Sequence, residues 1–427
     1  LQNEIQNSYI LSAFSVNRHQ EIPLTERNSL LYIHLLDRLA YKCKLNKDPL
    51  FEMKKPRLII TNLLVFVITG LVALVLVPYV ALTQGFDSAE IIACIILIYF
   101  SGMSITAGYH RLWAHKAFEA NAFVRVVLAI GGAMALQNSI LHWVSDHRIH
   151  HRHVDDNDRD PYSAKRGFWY SHMGWMLREY QVHRYSDYSN CKDLQKDKVV
   201  VWQHKYYLPI MLVSNFGIPM LLGLLNGDVL GMLLLAGFFR LVVVHHVTFF
   251  INSLAHIWGR QPYTDKNSAR DNDILAFFTF GEGYHNYHHI FEYDYRNGIK
   301  WWQFDPTKWL IRGLSFIGWT KNLRRCPEER IEKAKIAMQL QRAQKRLSVL
   351  PNADEILHSL QQEYDLILQK MAEMYATKKR LMEIRKYKIK RNYEKLELDF
   401  KYRELKYNLE LHKQKWLQLY QVKYQLA

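Results

Sequence analysis

The sequence predicts an all-α integral membrane protein: four transmembrane helices, a cytoplasmic helical cap, and a long C-terminal helical or coiled-coil tail. Three observations carry that expectation. Apolar stretches at 58–82, 88–108, 207–226 and 229–251 are each long enough to cross a hydrocarbon core, which takes about 20 residues. Lys and Arg are missing from two of the connections between these stretches and abundant elsewhere. Beyond Pro351 there is neither Gly nor Pro, and apolar residues recur at three- and four-residue spacing.

Residues 1–52 are polar and mixed, without a signal-peptide pattern. Met53-Lys-Lys-Pro-Arg57, directly before the first apolar run, reads as a natural start, so 1–52 is expected to be an N-terminal extension with no catalytic role. The first span carries no charge. Glu90 opens the second, and Arg240, His245 and His246 interrupt the fourth. A fifth apolar segment, 122–137, contains Arg125 and a Gly131-Gly132 pair and is short for a span; it is expected to lie at the membrane interface.

The connections 83–88 and 226–228 hold no Lys or Arg, whereas 53–57, 109–206 and everything after 252 are rich in both. Basic loops stay cytoplasmic, which places both termini and both large polar segments on that side, the inner face of the inner membrane in a bacterium. The membrane domain is expected to run 53–325 and a basic tail 326–427. Within the tail, Leu357, Leu360, Tyr364, Ile367, Met371, Met374 and Leu381 mark one helical face. One rod would reach roughly 100 Å; a hairpin satisfies the pattern equally. Residues 321–427 hold 25 Lys/Arg against 14 Asp/Glu, a net +11 of the chain's +16. Such a tail is either solvated and self-pairing or held against anionic headgroups. The apolar stretches favour membrane lipid over nucleic acid as the partner of this charge.

Cys43, Cys94, Cys191 and Cys326 are widely spaced, so neither a disulfide framework nor a thiolate site is expected. Any metal must be held by nitrogen and oxygen, and the histidines cluster accordingly. His110-Arg-Leu-Trp-Ala-His115 follows the second span. His147-Arg-Ile-His150-His151 lies in the middle polar segment, Asn252-Ser-Leu-Ala-His256 closes the fourth span, and His285-Asn-Tyr-His288-His289 follows Gly281-Glu-Gly-Tyr. Residues three and four apart share a helical face, so His147, His150 and His151 should aim one way, as should His285, His288 and His289. Asn252 and His256 should share a face as well. His110 and His115, five apart, sit about 140° around an ideal helix and require a helix end or a distorted turn.

Nine imidazoles and an amide exceed what one ion can use and suit two six-coordinate ions. Imidazole accepts Fe, Zn, Cu or Ni. A carboxylate-rich bundle would show paired Glu-x-x-His motifs, and only Glu282 and His285 make that pattern. A metal transporter or sensor would place its ligands within the spans; here nearly all sit at their ends. His142, His153, His172, His183, His204, His245 and His246 are read as structural, and the tail histidines His19, His34, His358 and His412 as incidental.

These boxes, in this order around four spans, resemble those of membrane fatty acyl desaturases. The resemblance is closest to the delta-9 acyl-CoA (stearoyl-CoA type) branch, and it covers about 57–325. It implies a mushroom-shaped helical fold and a di-iron centre. The implied ligands are His110, His115, His147, His150, His151, His256, His285, His288 and His289, with Asn252 acting through a water. It further implies a bent acyl tunnel passing Trp143 and Thr248, with Asn138 and Asp146 contacting the coenzyme A part of a long-chain acyl-CoA. The implied reaction is O₂-dependent introduction of a cis double bond, most simply at delta-9. A lipid or alkane hydroxylase could use the same site, and Ser145 and Glu179-Tyr180, which stand where animal members carry basic residues, leave phospholipid-bound chains open. Arg325-Cys-Pro-Glu-Glu-Arg330 and the helical tail resemble bacterial members. No His-Pro-Gly-Gly haem motif is present, so electrons are expected from a separate ferredoxin or cytochrome b5 type donor with its reductase.

Overall fold

A computed structural model describes residues 56–348, 354–386 and 392–425; the extension expected at 1–52 lies outside them. From Arg57 onward the described residues form one compact unit. Among the described residues four helices are long and apolar enough to cross a membrane: α1 (Ile60–Thr83), α2 (Ser88–Ala114), α5 (Tyr207–Asn226) and α6 (Val229–Ile257). Between the second and third lie α3 (Ala122–Met134) and α4 (Ile140–His153). Later come the short α7 (His285–Ile290) and α8 (Pro306–Phe316). The protein is an integral membrane protein: Leu74, Leu82 and Leu225 are at least 77% exposed on the spans, as side chains meeting lipid are.

Asp87 starts α2 with a reciprocal cap, accepting from Glu90 N at 2.9 Å while Glu90 Oε2 accepts from Asp87 N at 2.9 Å. Asn226 Nδ2 donates to Asp87 Oδ2 at 2.6 Å, so the α1–α2 and α5–α6 turns meet at one end of the spans. The long polar segments therefore leave from the opposite end. Arg240, wholly buried in α6, donates to the carbonyls of Ala236 and Met134 and to Asn215 Oδ1, which satisfies a cation that lipid could not.

The second span outlasts its expected end at 108. From Ser104 to Ala114 it continues as a π-helix. Helix α3 packs closely on this segment, and a side chain at Gly131 or Gly132 would strike Ser104 Oγ or the Tyr109 ring at 2.2 or 2.1 Å. The glycine pair thus permits a close helix approach. Glu119–Ala120 pairs antiparallel with Thr320–Lys321, which ties the chain after α2 to the chain after α8.

The tail contains α9 (Glu328–Leu347), α10 (Asp354–Lys386) and α11 (Asn392–Gln425). It is a hairpin rather than one rod. Arg380 pairs with Glu394 near the bend, and Glu363 pairs with His412 and Lys415 near the open end. The predicted stripe is buried at Leu360, Ile367, Met371, Met374 and Leu381, in part against Leu405, Leu409 and Trp416 of α11. Helix α9 joins this hairpin to the rest: Ile331 packs with Tyr263, Tyr287 and Phe291. Cys94, Cys191 and Cys326 are buried free thiols; Cys43 lies outside the described residues.

Candidate metal centre

The π segment answers the awkward five-residue spacing. A π-helix closes i→i+5 bonds, and His115 N donates to His110 O at 3.1 Å. The two rings consequently lie 4.8 Å apart.

Five imidazoles, those of His110, His115, His147, His151 and His288, present ligand nitrogens within 4.8 Å of one another. Those of His150, His256, His285 and His289 form a second such group. In the first, His110 and His288 Nε2 are 2.9 Å apart, and His115 and His147 Nε2 2.8 Å. In the second, His285 Nε2 stands 3.1 Å from the Nε2 of both His256 and His289.

Two expectations need correction. The boxes do not aim three imidazoles one way; each divides between the groups. His147 and His151 stay together while His150 turns to the other, and His285 and His289 stay together while His288 turns away. At 3.6 residues per turn, residues four apart diverge by about 40°, but adjacent ones by about 100°. Nor do Asn252 and His256 share an unbroken helical face. Helix α6 is interrupted near its end: the regular stretch stops at Asn252, Ser253 adopts φ −109° and ψ −74°, and the final turn, Leu254–Ile257, carries His256.

The donor set fits metal ions. At metal–nitrogen bonds of about 2.0–2.1 Å, neighbouring ligands stand ~3 Å apart, as these nitrogens do. Burial first, and neighbouring imidazoles second, hold His115, His147, His285, His288 and His289 well below the ordinary histidine range, and burial brings His151 down to about 4. Neutral rings keep the lone pair that coordination requires.

The outer nitrogens are engaged as well. His110 Nδ1 faces Glu282 at 3.0 Å, His151 Nδ1 faces Glu292 at 3.1 Å, and His150 Nδ1 faces Asp160 at 2.9 Å. His256 Nδ1 meets Ser268 Oγ at 2.8 Å and His147 Nδ1 meets Tyr162 OH at 3.3 Å. Such partners leave Nε2 to face inward. Burial would raise the Glu282 carboxyl, but His110 and Arg111 outweigh it and hold it down at about 2. Arg111, 1% exposed, reaches Glu282 at 2.8 Å, Asp305 at 3.1 Å and Tyr295 O at 2.8 Å.

Beside both groups lies a largely apolar cavity of about 330 Å³. His110, His147, His150 and His285 border it, as do Val65 and Phe66 of α1, Leu208 and Met211 of α5, and Phe249 of α6. All four substrate contacts expected from the sequence, Asn138, Trp143, Asp146 and Thr248, border it, and so does Asn252. Trp143 stacks on His147 with 4.8 Å between centroids. Its Nε1 donates to Gln137 Oε1 at 3.2 Å, and Gln137 Nε2 donates to Thr248 Oγ1 at 3.0 Å, a polar chain across the cavity wall. Burial raises the Asp146 carboxyl, opposed by Arg184 and His142; Arg184 Nε lies 3.3 Å from it. Of the histidines read as structural, His142 and His245 also border the cavity.

Sequence reasoning missed Gln137, Asp155, Asp160, Arg184, Ser268 and Glu292, and saw Glu282 only as half a motif. Asp160 and Glu292 follow their boxes by nine and three residues, a signal that acids near each box could have supplied. Ser268 carried none.

Fold and site together define an integral membrane protein with two imidazole groups, each able to hold a metal ion, beside an apolar cavity. Residues 89–316 match the fatty acid desaturase family. The chain is 47% identical over 256 residues to a probable acyl-CoA desaturase of Schizosaccharomyces pombe, covering 60% of this chain and 53% of that one. It is 36% identical over 297 residues to an acyl-CoA Delta-9 desaturase of Acheta domesticus, covering 66% and 81%. To an acyl-CoA Delta(11) desaturase of Trichoplusia ni it is 35% identical over 286 residues, covering 65% and 80%. The chain belongs to the fatty acid desaturase family. It spans about half the length of the fission yeast relative. These relatives are fungal and insect proteins, whereas the tail had suggested a bacterial likeness.

Proposed function

We propose that the chain is an O₂-dependent di-iron desaturase that introduces a cis double bond at delta-9 of a long-chain fatty acyl-CoA. The observation that carries this reading is the pair of imidazole groups at the wall of one apolar cavity. The desaturase names of the relatives support it. His110, His115, His147, His151 and His288 hold one iron; His150, His256, His285 and His289 hold the other, with Asn252 reaching it through a water. When bound, the iron pair activates O₂ with two electrons and supplies the oxidising power that an unactivated methylene demands.

The chain's own residues do the rest. The apolar walls exclude water and hold the acyl chain beside the imidazoles. Methylenes offer no polar handle, so cavity depth and bend choose the carbon pair; the Trp143–Gln137–Thr248 chain fixes that bend. Asn138, Asp146 and Arg184 form a polar flank for the carrier. Charge asymmetry of the loops puts the metal site and both ends on the cytoplasmic side, where a donor of ferredoxin or cytochrome b5 type delivers electrons. Residues 53–325 form the catalytic membrane domain and 326–427 an accessory tail.

The test is expression of the full chain in a desaturase-deficient host, followed by mass spectrometry of its fatty acids. Loss of two hydrogens between C9 and C10 is expected. Gain of one oxygen would identify a hydroxylase instead, and full activity in His150→Ala would overturn the ligand assignment.

A further inference from the structure

We propose that Asp155 and Ser268 are positioning residues that set the tautomer of His256 and so turn its Nε2 lone pair toward a metal ion. The inference rests on the two-ion reading above. His256 stands past the break at Ser253 on a four-residue turn, so no long helix fixes its ring. Its orientation depends on what holds Nδ1.

Ser268 Oγ lies 2.8 Å from His256 Nδ1 and 2.5 Å from Asp155 Oδ1, and Ser268 N donates to Asp155 Oδ2 at 2.7 Å. A hydroxyl has one proton and a carboxylate only accepts. The Ser268 proton therefore goes to Asp155, and Oγ faces His256 as an acceptor. Nδ1 must carry the ring hydrogen, which leaves Nε2 bare and facing His285 Nε2 at 3.1 Å.

Asp155 is itself held in place. Its φ of +70° is uncommon outside glycine, though Asp tolerates it better than most. Its N–H donates to Asp160 Oδ2 at 3.1 Å, and Asp160 Oδ1 lies 2.9 Å from His150 Nδ1. One loop thus reaches two imidazoles of the same four-membered group, His150 through Asp160 and His256 through Ser268. The carboxylates facing His110 and His151 in the five-membered group are others, Glu282 and Glu292.

This relay has a sign. In Asp155→Asn the Ser268 N–H keeps the amide oxygen, so the amide NH₂ faces Oγ and donates to it. The hydroxyl proton then turns to His256 Nδ1, and the ring hydrogen moves to Nε2, which closes the ligand position at almost constant shape. Ser268→Ala removes the relay, and Ser268→Thr preserves the hydroxyl.

The experiment titrates the metal-stripped full chain in detergent with Fe²⁺ under argon, counting ions bound per chain and the affinity of each. Wild type and Ser268→Thr should bind two. Asp155→Asn and Ser268→Ala should bind one ion normally and the other roughly 10–100-fold more weakly, the usual cost of losing a partner of a ligating histidine. The unfolding midpoint of the metal-stripped chain should not move. If Asp155→Asn lowers that midpoint, the contrast between Ser268→Ala and Ser268→Thr decides. Two ions at wild-type affinity in Ser268→Ala, or equal weakening in Ser268→Thr, overturns the inference. Fewer than two ions in wild type refutes the two-ion reading itself, and this inference with it.

Discussion

Arg111 offers a quantitative test of how the site is held together. Its guanidinium gives Nε and Nη2 to Glu282 at 3.2 and 2.8 Å, and Nη1 to Asp305 and to Tyr295 O at 3.1 and 2.8 Å. Arg111→Met keeps most of the volume, so the cost is electrostatic rather than a cavity. The two carboxylates would retain hydrogen bonds: Glu282 accepts from Asn297 Nδ2, and Asp305 accepts from the N–H groups of Asn297, Gly298 and Lys308. What they lose is a shared buried counter-charge. Breaking such a pair costs about 3–5 kcal/mol, and we expect that loss in denaturant unfolding of the purified chain. Adding Glu282→Gln removes one of the stranded charges, so the double variant should be less unstable than the sum of the singles. An Arg111→Met chain within about 1 kcal/mol of wild type, or strict additivity, would refute the coupling; typical uncoupled sites add within about 0.5 kcal/mol.

Other perturbations separate the parts of the molecule. His150→Ala should abolish product and reduce bound metal, whereas His412→Ala, confined to the hairpin, should leave both intact; product yield and metal analysis check the pair. Thr248→Val removes the hydroxyl that receives Gln137 Nε2, so double-bond positions should broaden while metal content holds, as mapped by mass spectrometry. A product still at one position would count against the polar chain as the bend. Trp416→Ala deletes a side chain 2% exposed in the hairpin and should destabilise it by about 3–5 kcal/mol, seen as faster proteolysis of the tail with normal metal binding.

Much of this architecture was legible along the chain because it depends on neighbours in sequence. Hydropathy located α1, α2, α5 and α6 within a few residues, apart from the extensions of α2 to Ala114 and α6 to Ile257. Those extensions are less apolar, so hydropathy ends before the helix does. The stripe at Leu360, Ile367 and Met371 identified the buried face of α10, but periodicity describes one helix at a time. It could not distinguish a rod from a hairpin, because the pairing of Glu363 with His412 and Lys415 is long-range.

The histidines divide the same way. Composition and spacing singled out nine imidazoles, since metal chemistry restricts residue type and local geometry restricts spacing. Which ring joins which group was decided by tertiary structure: a π-helical turn at His110–His115, a helical break at Ser253, and the meeting of His151 of α4 with His288 and His289 of α7. Glu282, Asp160 and Glu292 stand near the boxes in sequence, but which ring each faces was decided by the fold, and the link from Asp155 through Ser268 was visible only once folded. A hydrogen bond across 113 residues, as between Asp155 and Ser268, leaves no periodic trace. Sequence alone determined the donors available and the membrane that surrounds them; the folded chain decided where each donor points, because direction depends on contacts between segments far apart in sequence.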